Sequence, residues 1–287
     1  MKYFIALIAS VLVFTTMQFI IADNSNSIAN ESTNELTAYI GATLIDGNGG
    51  SVIEDSVVLI SGDRIIAAGP RSKVNIPSNT KIITVTDKYI VPGFIDTHVH
   101  FFESGRAYMN PLVLAADKNV TQKSEERWLK DKLESNLSRY LCSGVTSAVS
   151  LGGPTHIEFG VKQLASTLKV APRVFLSGTL IANDDLDWYF DGALIADEIH
   201  SKDNIIELVR QHSELGVDLI KFAYVEFRSS HGLSLDEFIP ILEAGVEEAH
   251  KLKLPVFVHI ETSHTANALI NIGLDSLIHL PGDKPVN

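Results

Sequence analysis

The sequence predicts an α/β protein: a (β/α)8 TIM-type barrel, with about six of its eight units present, behind a small β-sandwich-like domain. Three observations predict it. From Tyr89 onward, short apolar runs alternate with longer helical patterns, which is how βα units on a parallel sheet read in sequence. His98, His100, Lys221, His259 and His279 fall at the ends of such runs, and ligand-type residues at C-terminal strand ends mark the active face of a barrel. Residues 38–89 carry instead brief alternating strands cut by Gly-, Asn- and Asp-containing turns.

The chain opens on Lys2 and an almost wholly apolar run, residues 3–21, followed by Ala22 and an Asn/Ser-rich stretch. This reads as a secretory signal peptide over residues 1–22 and a polar linker over 23–37, placing the protein outside the cell or in the periplasm. The alternative is an uncleaved membrane anchor, since the run is long enough to span a bilayer. Asn30, Asn119 and Asn136 head Asn-x-Ser/Thr triplets that would accept glycans in a eukaryotic secretory pathway.

The small domain, 38–89, has expected strands at 39–45, 56–60, 64–68 and 81–86, separated by turns at 46–50, 62–63 and 69–70. In the barrel segment, 90–287, the expected strands are 90–100, 145–150, 173–177, 218–224, 256–260 and 276–280. Helices are expected at 124–142, 157–168, 203–215, 235–251 and 264–272, the last stopped by Gly273. Pro92-Gly93 punctuates the first strand, whose apolar lead-in suits a strand buried in a parallel sheet.

Side chains alternate faces along a strand, so His98 and His100 point the same way and can grip one ion, zinc or a similar borderline metal. Lys221 lies among Leu219, Ile220, Phe222 and Ala223, where lysine is almost never left unpaired. Burial lowers an amine's pKa, and a neutral amine combines with carbon dioxide to give a carbamate, an anionic oxygen ligand able to bridge two metals. The competing reading is a lysine snorkelling from the strand end or paired with Glu226. His259 and His279 close two successive strands one βα unit apart. A lone histidine of this kind is usually structural, whereas several at successive strand ends call for a common ligand.

Six stretches in order carry a resemblance to a known family: residues 91–100, 143–149 with Gly152-Gly153, 172–178, 216–221, 256–259 and 273–279. The chain resembles the metal-dependent amidohydrolases, in the branch of imidazolonepropionase-like enzymes and Xaa-Pro or Xaa-Arg dipeptidases. The resemblance implies two divalent ions, zinc first. His98 and His100 would hold one, His259 and His279 the other, and carboxylated Lys221 would bridge them. It implies hydrolysis of an amide, peptide or cyclic amide bond by a metal-bridging hydroxide. The family's general base is an aspartate after the eighth strand, beyond Asn287, so no catalytic residue is identified in this chain, and the sequence is expected to be C-terminally incomplete. Asp275 precedes its strand and would sit at the wrong end of the barrel. Asp96 shares the face of His98 and is assigned an orienting role, or else a simple strand-end hydrogen bond.

Loop residues expected around the pocket are His156, Asp184, Asp185, Asp187, Trp188 and Tyr189, with Tyr224, His231 and His264 as candidates to touch substrate. His264 is read as pocket wall or helix cap. The expected partner is a small molecule or dipeptide. A net charge of −12 argues against nucleic acid and against an anionic membrane surface, and an oligomer is left open. The single Cys142 excludes an internal disulfide and is expected to be a core residue. Two other readings stand beside the binuclear hydrolase: a mononuclear aminohydrolase that does not need Lys221, and a truncated barrel without catalysis.

Overall fold

The computed structural model describes residues 35–102, 121–184, 186, 195–226 and 232–285. The chain divides between Val91 and Pro92 into two compact units.

The first unit is built on β1 (Leu36–Leu44), a long strand with partners on both edges. β2 (Ile53–Ser61) pairs with it antiparallel, and β3 (Arg64–Pro70) pairs antiparallel with β2. The opposite edge is shared: β4 (Lys81–Thr84) runs parallel to residues 37–40, and β5 (Tyr89–Ile90) runs parallel to residues 43–44. The change of partner happens at Gly41, where the β1–β2 register also slips. Its φ of +89° and a Thr86 hydroxyl 2.9 Å from where a Cβ would stand leave room for glycine only. Ala38, Val57 and Leu59 form the buried centre of one face, whereas Ile65, Ile66 and Ile82 are exposed. The expected sandwich is therefore represented among the described residues by a single five-stranded sheet.

The second unit alternates strands and helices. Its strands are β6 (Phe94–Val99), β7 (Val145–Ser150), β8 (Arg173–Leu176), β9 (Leu180–Ala182), β10 (Ala196–Glu198), β11 (Ile220–Ala223), β12 (Val256–His259) and β13 (Ser276–Ile278). The helices are α1 (Gln122–Cys142), α2 (Thr155–Thr167), α3 (Lys202–Leu215), α4 (Leu235–Lys251) and α5 (Ser263–Leu269). Every strand pairing is parallel, in the orders β6-β7-β8 and β10-β9-β11-β12-β13.

The two orders are joined by one bent segment. Residues 173–176 pair with β7, and after a turn at Ser177-Gly178 residues 181–182 pair with β11. Gly178 makes the bend in the left-handed region at φ +76°. The Asp218 amide also donates to the Leu176 carbonyl at 2.9 Å, tying β8 to the approach of β11. The result is six strand positions laid side by side in chain order. β10 adds a short extra strand on β9. Runs of three residues are too brief to show a period, which is why β9 and β10 were absent from the sequence expectation.

The helices are cut by local chemistry. Ser201 caps α3 through the Asn204 amide, and Gly216 ends it at φ +86°. Ser234 and Glu237 form a capping box on α4. Gly245 lets α4 lie close, because a Cβ there would stand 2.5 Å from Ile205 on α3 and 2.9 Å from Phe222 on β11. Around this contact Ile205, Val209, Phe222, Phe238, Leu242 and Val258 form the main core. Cys142, expected inside, is exposed, because it is the last residue of α1 and that final turn faces outward.

Candidate metal centre

Four histidine rings meet at the C-terminal ends of the strands. His98 lies near the end of β6, and His100 just past it. Their Nε2 atoms face each other at 3.1 Å. His98 is 4.8 Å from His279, centroid to centroid, and His279 is 4.7 Å from His259. β6 and β13 are five strand positions apart, about 24 Å in a flat sheet at about 4.8 Å per strand. Contact between rings carried at their two ends therefore requires the strand layer to curl strongly, as a barrel wall does.

The hydrogen bonds set which nitrogens are bare. His100 Nδ1 lies 2.8 Å from the Gly152 carbonyl oxygen. A carbonyl only accepts, so Nδ1 carries the proton and Nε2 of the neutral ring is a lone pair. A single proton then fits between the two facing Nε2 atoms, supplied by His98. A ligating histidine that donates its other ring N–H to a backbone carbonyl is the usual arrangement around a metal.

Electrostatics favour the neutral form of three of these rings, His98, His259 and His279. Burial, followed by the nearby His100, Lys221 and His279, lowers His98 to about 4. Burial, with Lys221 first among its neighbours, lowers His259 to about 3. His279 is lowered too, chiefly by burial. Neutral imidazole is the ligating form. His279 also adopts φ +76°, a left-handed conformation uncommon outside glycine.

Lys221, in the middle of β11, is 2% exposed, and its Nζ has no hydrogen-bond partner. Burial lowers its amine to about 7. The Glu226 carboxylate, the alternative partner, is engaged elsewhere, accepting from the Thr262 hydroxyl at 2.8 Å and from that of Thr265. Among the described residues, no three His, Cys, Asp or Glu side chains converge as they stand on a point that could hold an ion. The rings pack on one another instead. The donor set still fits a divalent cation: imidazole rings clustered at the strand ends, with the His100 Nε2 lone pair turned toward His98, and an orphaned buried amine on a strand between them.

The remaining sequence candidates divide. Asp96 accepts the His98 backbone amide at 3.3 Å, so it steadies the strand end and does not reach the imidazole. Tyr224 is 2% exposed and packs on Phe238 at 5.3 Å; its side chain belongs to the core, not to a pocket wall. His264 is exposed on α5, and the cap of that helix is Thr262, whose side chain accepts from the Thr265 amide. His156 is exposed in the first turn of α2, and Asp184 is fully buried. His231, Asp185, Asp187, Trp188 and Tyr189 lie outside the described residues, as does the N-terminal segment through residue 34.

Sequence reading missed three buried polar groups. Glu158, in the first turn of α2, is fully buried. Asn183, after β9, donates to the Val225 and Leu233 carbonyls and accepts the Val225 amide, fixing the chain beyond β11. His212 on α3 reaches across to Asp197 and Thr179 at 3.2 Å each and to the Ser177 carbonyl at 3.1 Å, beside the bend between β8 and β9. Burial alone would raise the Asp197 carboxyl, but hydrogen bonds from His212 and Thr179 leave it below its ordinary value. No spacing in the sequence singles these residues out. Only the two glycines before Glu158 hinted at a close approach.

The family model of the amidohydrolases matches residues 89–280, and the chain belongs to that family. Within it, the chain falls in the branch of imidazolonepropionases and prolidases. An imidazolonepropionase of Streptomyces griseus is 28% identical over 157 residues, 49% of this chain and 40% of that protein. A dihydroorotase of Ehrlichia chaffeensis is 41% identical over a shorter stretch, 25% of this chain and 16% of its own. A crystal structure of a prolidase complexed with N-methylphosphonate-L-proline superposes with a TM-score of 0.63 at 25% identity, covering 84% of this chain and 60% of that one. A Xaa-Pro dipeptidase with bound methionine gives 0.63 at 20% identity, covering 85% and 61%. The chain thus spans two-fifths or less of the curated relatives it matches and about three-fifths of these solved chains. The likeness supports a TIM-like α/β barrel, of which the described residues form the curled six-position wall.

Proposed function

We propose that this protein is a metal-dependent hydrolase of carbon–nitrogen bonds acting on a small amide, cyclic amide or dipeptide. The observation that carries the reading is Lys221, a buried and unpartnered amine whose pKa burial lowers to about 7, on a strand between those that bring four histidines together. His98 and His100 would hold one divalent cation and His259 and His279 a second, with zinc the first candidate. When bound, such cations supply Lewis acidity toward water and toward a substrate carbonyl. The chain's own residues prepare for them. His100 is oriented by the Gly152 carbonyl, His98 stays a neutral imidazole at neutral pH, and burial leaves Lys221 able to act as a nucleophile. Carboxylation of Lys221 would form one N–C bond from Nζ to carbon dioxide as one C=O π pair moves to oxygen and Nζ loses one proton, and the resulting carbamate would add anionic oxygens to the donor set.

The imidazolonepropionase and prolidase likenesses support a carbon–nitrogen bond as the target, cyclic in one case and peptide in the other. A single-ion aminohydrolase reading draws on a short match to an adenine deaminase of Staphylothermus marinus, 39% identical over 57 residues. The apolar run behind Lys2 supports export from the cytoplasm.

The test is metal content by mass spectrometry on purified protein, wild type against Lys221→Ala. About two ions per chain, falling in the variant, is the expected result. One ion per chain in both proteins favours the single-ion reading, and none in a folded wild-type chain rejects both.

A further inference from the structure

We propose that Glu158 is a positioning residue for His100, acting through the Gly152-Gly153 turn and Phe102. The inference rests on the reading of His100 as a metal ligand and goes beyond it, because Glu158 itself belongs to no ligand set.

Besides the facing His98, two neighbours fix the His100 ring. One is the Gly152 carbonyl, which accepts the Nδ1 proton at 2.8 Å. The other is the Phe102 ring, edge-on at 5.8 Å. Both converge on Glu158. A Cβ placed at Gly153 would stand 2.6 Å from Glu158 Oε1 and 2.6 Å from Phe102 Cδ1, so carboxyl, turn and phenyl ring are already in contact distance of one point. Gly152 is equally confined, with φ +126° and Leu180 2.5 Å from its would-be Cβ. The turn is held from its sides as well: the Leu151 amide donates to the Val99 carbonyl, and the Gly153 amide to the Gly178 carbonyl. Glu158 completes this enclosure from the helix side.

The burial of Glu158 is otherwise unexplained. It is fully buried, and neither carboxyl oxygen has a hydrogen-bond partner of full geometry. Burial pushes its carboxyl up to about 7, against weaker opposing contacts from the Ser150 hydroxyl and the Phe102 backbone. A glutamate left in such a place costs stability, and an alanine or leucine would serve packing alone better. What the carboxyl adds is a polar wedge of fixed length under the turn that aims the Gly152 carbonyl.

The experiment reads the His100 ring in metal-free full-length protein by long-range ¹H–¹⁵N correlation of labelled histidine. The wild type is expected to show the Nδ1–H tautomer. Glu158→Ala is expected to lose it in favour of a mixture with Nε2–H, and Glu158→Gln, of the same length, to restore it. Val161→Ala, a deletion on the same helix at a residue 1% exposed, should lower stability and leave the tautomer alone. An unchanged tautomer in folded Glu158→Ala overturns the proposal, as does an equal change in Val161→Ala. If Glu158→Ala does not fold, Gly153→Ala pushes the turn from the other side and must shift the tautomer; an unchanged ring there overturns it too. Zinc titration of the same proteins should show affinity about 10- to 100-fold weaker in Glu158→Ala. Zinc failing to bind even the wild type rejects the metal reading, while the tautomer still decides the role of Glu158.

Discussion

An amine held near 7 inside the strand layer changes what pH does to the metal-free fold. In the unfolded chain Lys221 titrates at its ordinary 10.5, in the folded chain at about 7. Between those values the unfolded state binds a proton that the folded state does not, so stability rises with pH across that interval. Below 7 both states are charged there and the full cost of burying the cation is present, on the order of a few kcal/mol. Metal-free protein should therefore show a urea midpoint that climbs from pH 7 to pH 9.5. Lys221→Met should be more stable than wild type at pH 7 and lose that slope; an identical slope in the variant would refute the assignment. The position of Lys221 was legible in the sequence because a lysine inside an apolar run is conspicuous. So was His98-x-His100, since strand alternation alone puts both on one face. Glu158 was not, because an acid in the first turn of a helix is ordinary on electrostatic grounds and its burial depends on the β7–α2 turn folding over it.

At the scale of elements, Asn183 ties the end of β9 to Val225 just past β11 and to Leu233 just before α4. Its side chain meets three backbone groups of Val225 and Leu233, and its own carbonyl accepts the Leu233 amide at 2.9 Å. Asn183→Ala leaves these buried groups without partners, a loss of about 2–3 kcal/mol measurable by chemical denaturation. Asn183→Asp, which keeps the acceptor but turns a carboxyl oxygen toward two carbonyls, should cost at least as much. Apart from β9 and β10, strand and helix positions from β6 to β13 followed the apolar periodicity to within a few residues, although the lead-in expected to be buried is exposed at Phe94 and Ile95. What it could not show was that one stretch, 173–182, serves two neighbours, because a change of hydrogen-bond partner leaves no trace in composition. Tyr224 misled for a related reason. It closes the expected strand 218–224, at the end where a pocket is expected, and its backbone does continue the ladder by donating to the His259 carbonyl, but its ring turns into the core.

For the whole molecule, the alternation of βα units carried most of the architecture, and the ring contacts show the curvature that alternation alone leaves open. Among the described residues β6 and β13 each pair along one side only. Phe94 and Ile95, successive residues on opposite faces of β6, are 62% and 61% exposed, and Leu280 beyond β13 is 95% exposed. An edge of that kind is a template for pairing with another chain. A polypeptide of residues 1–287 should associate with itself as concentration rises, and Phe94→Lys combined with Ile95→Lys should reduce that association. Sedimentation velocity over a tenfold dilution checks it, and a variant that associates as strongly as the wild type would move the sticky surface elsewhere.

The bend at Ser177-Gly178 has a mechanical meaning. It creases the strand layer into two leaves, one carrying His98 and His100, the other Lys221, His259 and His279. Rotation about a crease leaves the ladders within each leaf intact, and it alters the gap between leaves far more than any spacing inside them. The gap between the pair His98 and His100 and the pair His259 and His279 thus depends on a bend at one left-handed glycine, held by the Asp218 amide and with His212 and Asp197 at its side.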